Sequence, residues 1–249
     1  MPAPLNEQIN VFLSLFKGRE DVFAIRWQKD GKSGYMPAYD LNWDEFSKYK
    51  ERGGTLKDFH AKEFSKLTEQ RIINHLNGKE VIGLHPLLED NSSWFIVADF
   101  DESVMSKKSW IEECRIFIET CGHYQLPAYL ERSRSGKGGH VWIFFASSYP
   151  AYKSRMIMLH ILELASIFSP FDKNSNYDRL FPNQDYHSGK GLGNLIALPL
   201  QKKALENNNS CFIDPVNQIS FEDQWSFLKT MKKVSPDILN SIFFILNLK

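Results

Sequence analysis

The chain has no excess of either charge. Over 249 residues, 30 Lys and Arg are balanced by 30 Asp and Glu. A global positive field is therefore absent, and any binding of nucleic acid has to come from a local patch. Cysteine is scarce: Cys114, Cys121 and Cys211 have no paired metal spacing, and a few scattered thiols fit a reducing compartment. No apolar run approaches membrane-spanning length. The start lacks a charged segment leading into an apolar core, so no signal peptide is expected. There is also no Pro/Gly/Ser-rich linker, internal repeat or low-complexity run. These absences predict a cytoplasmic protein with no membrane partner. Its length suits one large domain or two intimately packed small ones.

Aromatic residues, by contrast, are plentiful, with 19 Phe and 6 Trp, and most of them must be core. Ile9, Phe12, Leu13 and Phe16 stand at helical spacing and predict an amphipathic helix over Leu5 to Phe16. A strand follows at Val22 to Trp27, then turn chemistry at Lys29–Gly34, and a helix at Thr68 to Leu76. Residues 36 to 66 give no clear periodicity. Further on the chain has a rhythm. A strand at Trp94 to Phe100 is followed by a helix at Lys107 to Cys121 and strands at Ala128 to Arg132 and His140 to Phe145. A helix at Tyr152 to Phe168 and a strand at Asn194 to Leu198 close the unit. That order is β-α-β-β-α-β, as in RNA-recognition-type folds. A short strand near Ser210 to Ile213 and helices at about Phe221 to Met231 and Pro236 to Leu246 complete the tail.

The stretch Ser93-Trp-Phe-Ile-Val-Ala-Asp-Phe-Asp101 reads as a buried strand ending in two carboxylates. Strand alternation puts Asp99 and Asp101 on one face and Phe100 on the other. Two such carboxylates repel unless a cation lies between them, and hard ions such as Mg²⁺ or Mn²⁺ take oxygen ligands of this kind. A strand end facing water is the plainer alternative. Ser135-Gly-Lys-Gly-Gly-His140 falls at a predicted hairpin. Glycines let backbone N–H groups approach an anion. Ser135, Lys137 and Arg134 suit phosphate oxygens, with Gly136 and Gly138 shaping the turn. It is not a Walker A loop, because a strand follows it. His140 opens that strand and is placed to reach a phosphate or the metal. A tight hairpin with a solvated lysine is the rival reading. Two acids, a phosphate cradle and a histidine on one sheet face describe a nucleotidyl-transfer site. A two-metal site needs a third carboxylate, and in Tyr177-Asp-Arg-Leu-Phe-Pro-Asn-Gln-Asp185 both Asp178 and Asp185 compete for that place. The glycine-rich loop Ser188–Gly193 follows them.

At these three motifs the sequence resembles the archaeo-eukaryotic primase, or primase-polymerase, superfamily. Val97-Ala-Asp-Phe-Asp101 matches its hydrophobic-Asp-x-Asp motif, and Ser135-Gly-Lys-Gly-Gly-His140 its serine-to-histidine motif. The third motif is an Asp before a strand ending in Pro. Spacing to Pro199 carries it to Asp185, with Asp178 the runner-up. The primases of TOTE conflict systems are the branch most similar. Arg26-Trp27, Gly34-Tyr-Met-Pro37, His75-Leu-Asn-Gly78, the run Glu131 to Phe145, Gly193 to Gln201 and Asp223-Gln-Trp225 all resemble it. The resemblance runs from about residue 22 to 230. It implies an α+β primase fold, in which an RNA-recognition-motif-like βαββαβ unit at about 91–215 packs on a smaller N-terminal α/β lobe at about 1–90, with C-terminal helices at about 216–249. It implies a DNA primase-polymerase using Mg²⁺ or Mn²⁺, nucleoside triphosphates and a single-stranded DNA template, with a helicase of the same system as a partner. Asp99, Asp101 and Asp185 would hold metal, His140 would join them in catalysis, and Arg134, Ser135, Gly136, Lys137, Gly138 and His140 would bind nucleotide. Relatives often carry a cysteine-rich zinc element after the Gly-Tyr-x-Pro stretch. Residues 38 to 66 contain no cysteine, so no structural zinc is expected. Relatives also usually continue into a helicase, so a stand-alone primase and a cut-out domain are both open.

Two rivals come from other classes. A metal-dependent nuclease would use acids and a histidine, but it has no need of a glycine-lysine cradle. A non-catalytic nucleic-acid-binding module would not need Asp99, Asp101, Asp185 and His140 together.

Overall fold

The computed structural model describes residues 5–169, 174–189 and 191–248. The opening segment forms α1 (Leu5–Leu15), with Ile9, Phe12 and Leu15 buried along one side. β1 (Ala24–Lys29) and β2 (Lys32–Pro37) make a hairpin whose turn residues, Asp30 and Gly31, both have positive φ, the conformation that a tight two-residue turn requires. The stretch without clear periodicity holds β3 (Tyr39–Leu41), α2 (Trp43–Glu51) and β4 (Lys62–Phe64), with β3 and β4 paired. None of the α2 residues is fully buried, and Phe46 and Tyr49 are only half-covered against Phe59; the local signal of the helix is Asn42, whose side chain accepts from the N–H groups of Asp44 and Glu45. α3 (Glu69–Leu76) and β5 (Ile82–Leu84) follow.

Next come β6 (Ser92–Asp101), α4 (Trp110–His123), β7 (Tyr129–Arg132), β8 (Gly138–Pro150), α5 (Ala151–Leu164) and β9 (Tyr177–Phe181). This is the expected β-α-β-β-α-β unit, paired antiparallel in the order β7-β8-β6-β9. The tail adds β10 (Ile196–Ala197), α6 (Lys202–Leu205), β11 (Cys211–Phe212), α7 (Gln224–Thr230), β12 (Lys233–Val234) and α8 (Pro236–Ile245). β11 extends the large sheet beside β7, and β12 pairs with β8 in parallel.

One strand is not where the sequence put it. The unit is closed by Tyr177–Phe181, which pairs with β6, and not by residues 194–198. Ile196–Ala197 instead pairs with β5 and edges the N-terminal sheet, whose order is β10-β5-β1-β2. The apolar run at 194–198 does announce a buried strand, but hydrophobicity alone does not say which of two sheets receives it.

The pleat of β6 divides the interior. Ile96, Ala98 and Phe100 pack with α4, α5 and α8, while Phe95 and Val97 face the other way into a core shared with α1, α3 and the N-terminal sheet. Trp142 and Phe144 of β8 join that second core, where Phe16 meets the Trp142 ring edge-on at 5.1 Å. Large rings thus fasten the two sheets together, each fully buried one contributing on the order of 1.5–3 kcal/mol. His75 ties α3 into the N-terminal sheet: its Nδ1 accepts from the Ile82 N–H at 3.1 Å and its Nε2 donates to the Pro199 carbonyl at 2.9 Å.

Candidate active site

Asp99 and Asp101 continue the parity of Phe95 and Val97, so they emerge on the face turned toward the N-terminal sheet, where the core between the sheets gives out. Phe100, between them, is fully buried on the helix side, as the alternation predicts. β9 brings the third carboxylate. Its pairing with β6 slips between Asp99↔Arg179 and Phe100↔Tyr177, so Asp178 is the extra residue of a bulge. Tyr177 and Leu180 both stay on the helix side, and the bulge frees Asp178 to turn toward the other two acids. Carboxylate oxygens of Asp99, Asp101 and Asp178 all lie within 4.8 Å of one another.

Asp185 is not part of this group. The β9 chain runs away from Asp101, and the loop beyond it reaches the far end of β6, where the His187 N–H bonds to Asn91. Asp185 accepts from Arg155 of α5 at 2.6 Å, and Arg155 also donates to the Pro182 carbonyl at 3.2 Å, so this carboxylate is engaged on the α5 side of β9. The expectation that Asp185 lies beside Asp99 and Asp101 is therefore corrected: Asp178, the runner-up, holds that position. Spacing to a proline gave no sense of which way the strand runs. In the loop Ser188–Gly193, Lys190 lies outside the described residues.

Across the sheet the register sets up a row of alternating charge. Arg179 pairs with Asp99, Asp99 with His140, and His140 with Glu131, each on its own strand. The His140 ring bonds through Nδ1 to Glu131 at 2.9 Å, and its Nε2 lies 3.5 Å from Asp99. The same Glu131 oxygen accepts from the Trp142 indole at 2.8 Å, which fixes the carboxylate. Burial acts to lower the His140 pKa, but Glu131, with help from Asp99 and Asp101, overcomes it and raises it to about 9. Burial pushes the Asp99 carboxyl up to about 6. His140 pulls it back down, while Asp101 and Asp178 add to the rise. Around neutral pH the row holds an imidazolium between two acids.

The predicted glycine turn joins β7 to β8 at the open end of this row. The Gly136 N–H bonds to the Ser133 carbonyl, the Lys137 N–H to the Ser135 hydroxyl, and the Ser133 N–H to the Gly138 carbonyl. Gly136 has φ +75°. Gly138 sits opposite Asp101, and a Cβ there would stand 2.9 Å from the Asp101 carboxylate and closer still to the Phe100 carbonyl. Lys137 is exposed above the turn. Arg134 is half-buried; burial and the neighbouring charge of Arg26 hold its pKa below the usual value, with Tyr35 acting the other way. Arg132, by contrast, is occupied, donating to the carbonyls of Asn208 and Gln218.

Two functional candidates escaped the sequence reading. Glu131 stood inside a quoted motif without a role, because its partner lies on the next strand. Arg179 stood beside Asp178 without a role. The available signal was a charged residue inside a short strand beside a second charge, Arg132 or Asp178.

A family model described as the archaeo-eukaryotic primase domain of the TOTE conflict system matches residues 7–242. The chain belongs to this primase family. It is accordingly a primase-polymerase-like nucleotidyltransferase domain, and its α+β architecture is the primase fold. No curated protein matches it significantly. Among solved structures it is similar to the polymerase domain of Mycobacterium tuberculosis ligase D in complex with DNA, at 11% identity and a TM-score of 0.45, over 95% of this chain and 86% of that one. Among the described residues of the primase domain, no helix is long and apolar enough to cross a membrane.

Proposed function

We propose that the protein is a DNA primase-polymerase that joins nucleoside triphosphates along a single-stranded DNA template with Mg²⁺ or Mn²⁺. The observation that supports this most is the convergence of Asp99, Asp101 and Asp178 beside His140, in a chain of the primase family. The donor set fits the ions. Three carboxylates with oxygens within 4.8 Å of one another, one of them with its pKa driven up by burial and its neighbours, form an acidic site that hard divalent cations relieve. Bound there, such ions would neutralise the triphosphate and the charge that develops as the phosphoryl group transfers.

The protein's own groups position and neutralise. Asp99, Asp101 and Asp178 hold the cations. His140, anchored by Glu131, presents Nε2 toward the acids and is placed to donate to a phosphate oxygen. Lys137, Arg134 and Ser135 form the cradle for the triphosphate, with Gly136 and Gly138 giving the turn its shape. Because its own hydrogen bonds already hold the turn, it meets the nucleotide pre-formed. The template is held by local cationic and aromatic groups, since the net charge is zero.

The test is incorporation of labelled nucleotide on single-stranded DNA with Mg²⁺ or Mn²⁺. Template-dependent products lost in Asp101→Asn support the reading. Shortened template without incorporation would instead indicate a nuclease, and DNA binding with neither outcome a non-catalytic module.

A further inference from the structure

Among the described residues, one cation beside the three acids has no assigned task. Arg179 sits on β9 directly across from Asp99, and its Nε donates to Asp178. A guanidinium carries five N–H donors in a rigid fork, and this one commits a single donor to Asp178. The side chain is 47% exposed and lies beside the other two acids, whose charges it feels, so the rest of the fork is open to a ligand that arrives there. As a structural clasp it would do little, because exposed ion pairs contribute little to stability. Its placement suggests a different use. A guanidinium on Asp178 competes with a divalent cation for the same carboxylate. Once the cation is bound, the two positive charges repel, and the freed fork has the geometry that matches phosphate oxygens.

We propose that Arg179 stands in for the divalent cation at Asp178 and transfers to the phosphates of the incoming nucleotide when the cation binds. This rests on the primase-polymerase reading. It makes Arg179 a positioning residue with two successive partners, and it couples cation arrival to nucleotide capture. The pKa of Arg179 is raised, first by its bond to Asp178 and further by Asp99 and Asp101, in keeping with a cation placed in an acidic site.

The experiment measures binding, not turnover. Mn²⁺ alone, and a non-hydrolysable nucleoside triphosphate with Mn²⁺, are titrated by calorimetry into the native chain, Arg179→Ala and Arg179→Lys. Removing the competing charge should tighten binding of Mn²⁺ alone about fivefold in Arg179→Ala. The same variant should bind the nucleotide about tenfold more weakly, having lost the fork. Arg179→Lys should return Mn²⁺ affinity toward the native value without restoring the nucleotide. Unchanged or weaker Mn²⁺ binding in Arg179→Ala overturns the proposal, as does unchanged nucleotide binding. A native chain that binds no nucleotide with Mn²⁺ defeats the primase-polymerase reading and this inference with it. A native chain that binds while Arg179→Ala lacks the opposed shifts defeats this inference alone.

Discussion

His75 makes the packing of α3 on the N-terminal sheet sensitive to acid. Its Nδ1 accepts from the Ile82 N–H and its Nε2 donates to the Pro199 carbonyl, so the ring is held neutral in one tautomer. A second ring proton would point at the Ile82 N–H. Burial, only partly offset by the backbone bonds, lowers the pKa to about 4 from the ordinary 6.5. Because the folded pKa is depressed, the unfolded chain binds the proton first. The stabilisation is therefore complete above pH 6.5 and is lost as pH falls toward 4. Linkage between those two values gives a loss of about 2 kcal/mol on going from pH 7 to pH 5. Urea unfolding followed by tryptophan fluorescence measures it, comparing the native chain with His75→Gln at pH 7, 6 and 5. At pH 7 the variant should be less stable by about 1–3 kcal/mol, from imperfectly replaced buried hydrogen bonds. Its stability should then fall less with acid, by about 2 kcal/mol over the range. The paired comparison cancels the other titrating groups, including His140, whose raised pKa acts above pH 6.5. Equal acid slopes in the two proteins would refute the reasoning.

Substitutions at four further positions probe the site. Asp178→Asn should cut nucleotide incorporation by more than about a hundredfold, since even partners one step removed from a metal cost about 10–100-fold, whereas Asp185→Asn should change it less than about twofold; the two turnover rates decide which acid belongs to the site. Glu131→Gln keeps an oxygen for His140 and Trp142 but removes the charge, so turnover should fall about tenfold, and Glu131→Leu should lower it further. Gly138→Ala should cost both stability and turnover, because the added Cβ meets the Phe100 carbonyl and the Asp101 carboxylate; a thermal melt and an incorporation assay unchanged from the native chain would contradict this.

Much of the architecture was legible in the sequence, and the exceptions have physical causes. Period-2 alternation in Trp94–Asp101 correctly placed Asp99 and Asp101 together, because β6 is regular where it carries them. The same alternation could not foresee Asp178, since a bulge in β9 breaks the parity of that strand. Asp185 was favoured on linear spacing, which holds no information on strand direction. α2 was unreadable because none of its residues is fully buried and its aromatic side is only half-covered. β10 was read as a strand but assigned to the wrong sheet, because a short apolar run looks the same in either. Glu131 and Arg179 take their meaning from cross-strand neighbours that only the register reveals.

The central claim is that Asp99, Asp101 and Asp178 hold the cations for transfer from a nucleotide seated on the Ser135–Gly138 turn. Anomalous diffraction from crystals of the protein with Mn²⁺ and a non-hydrolysable nucleoside triphosphate tests it most directly. The account predicts manganese peaks among these three carboxylates, with the triphosphate between them and Lys137. Manganese bound at Asp185, or a triphosphate located away from the turn, would contradict it.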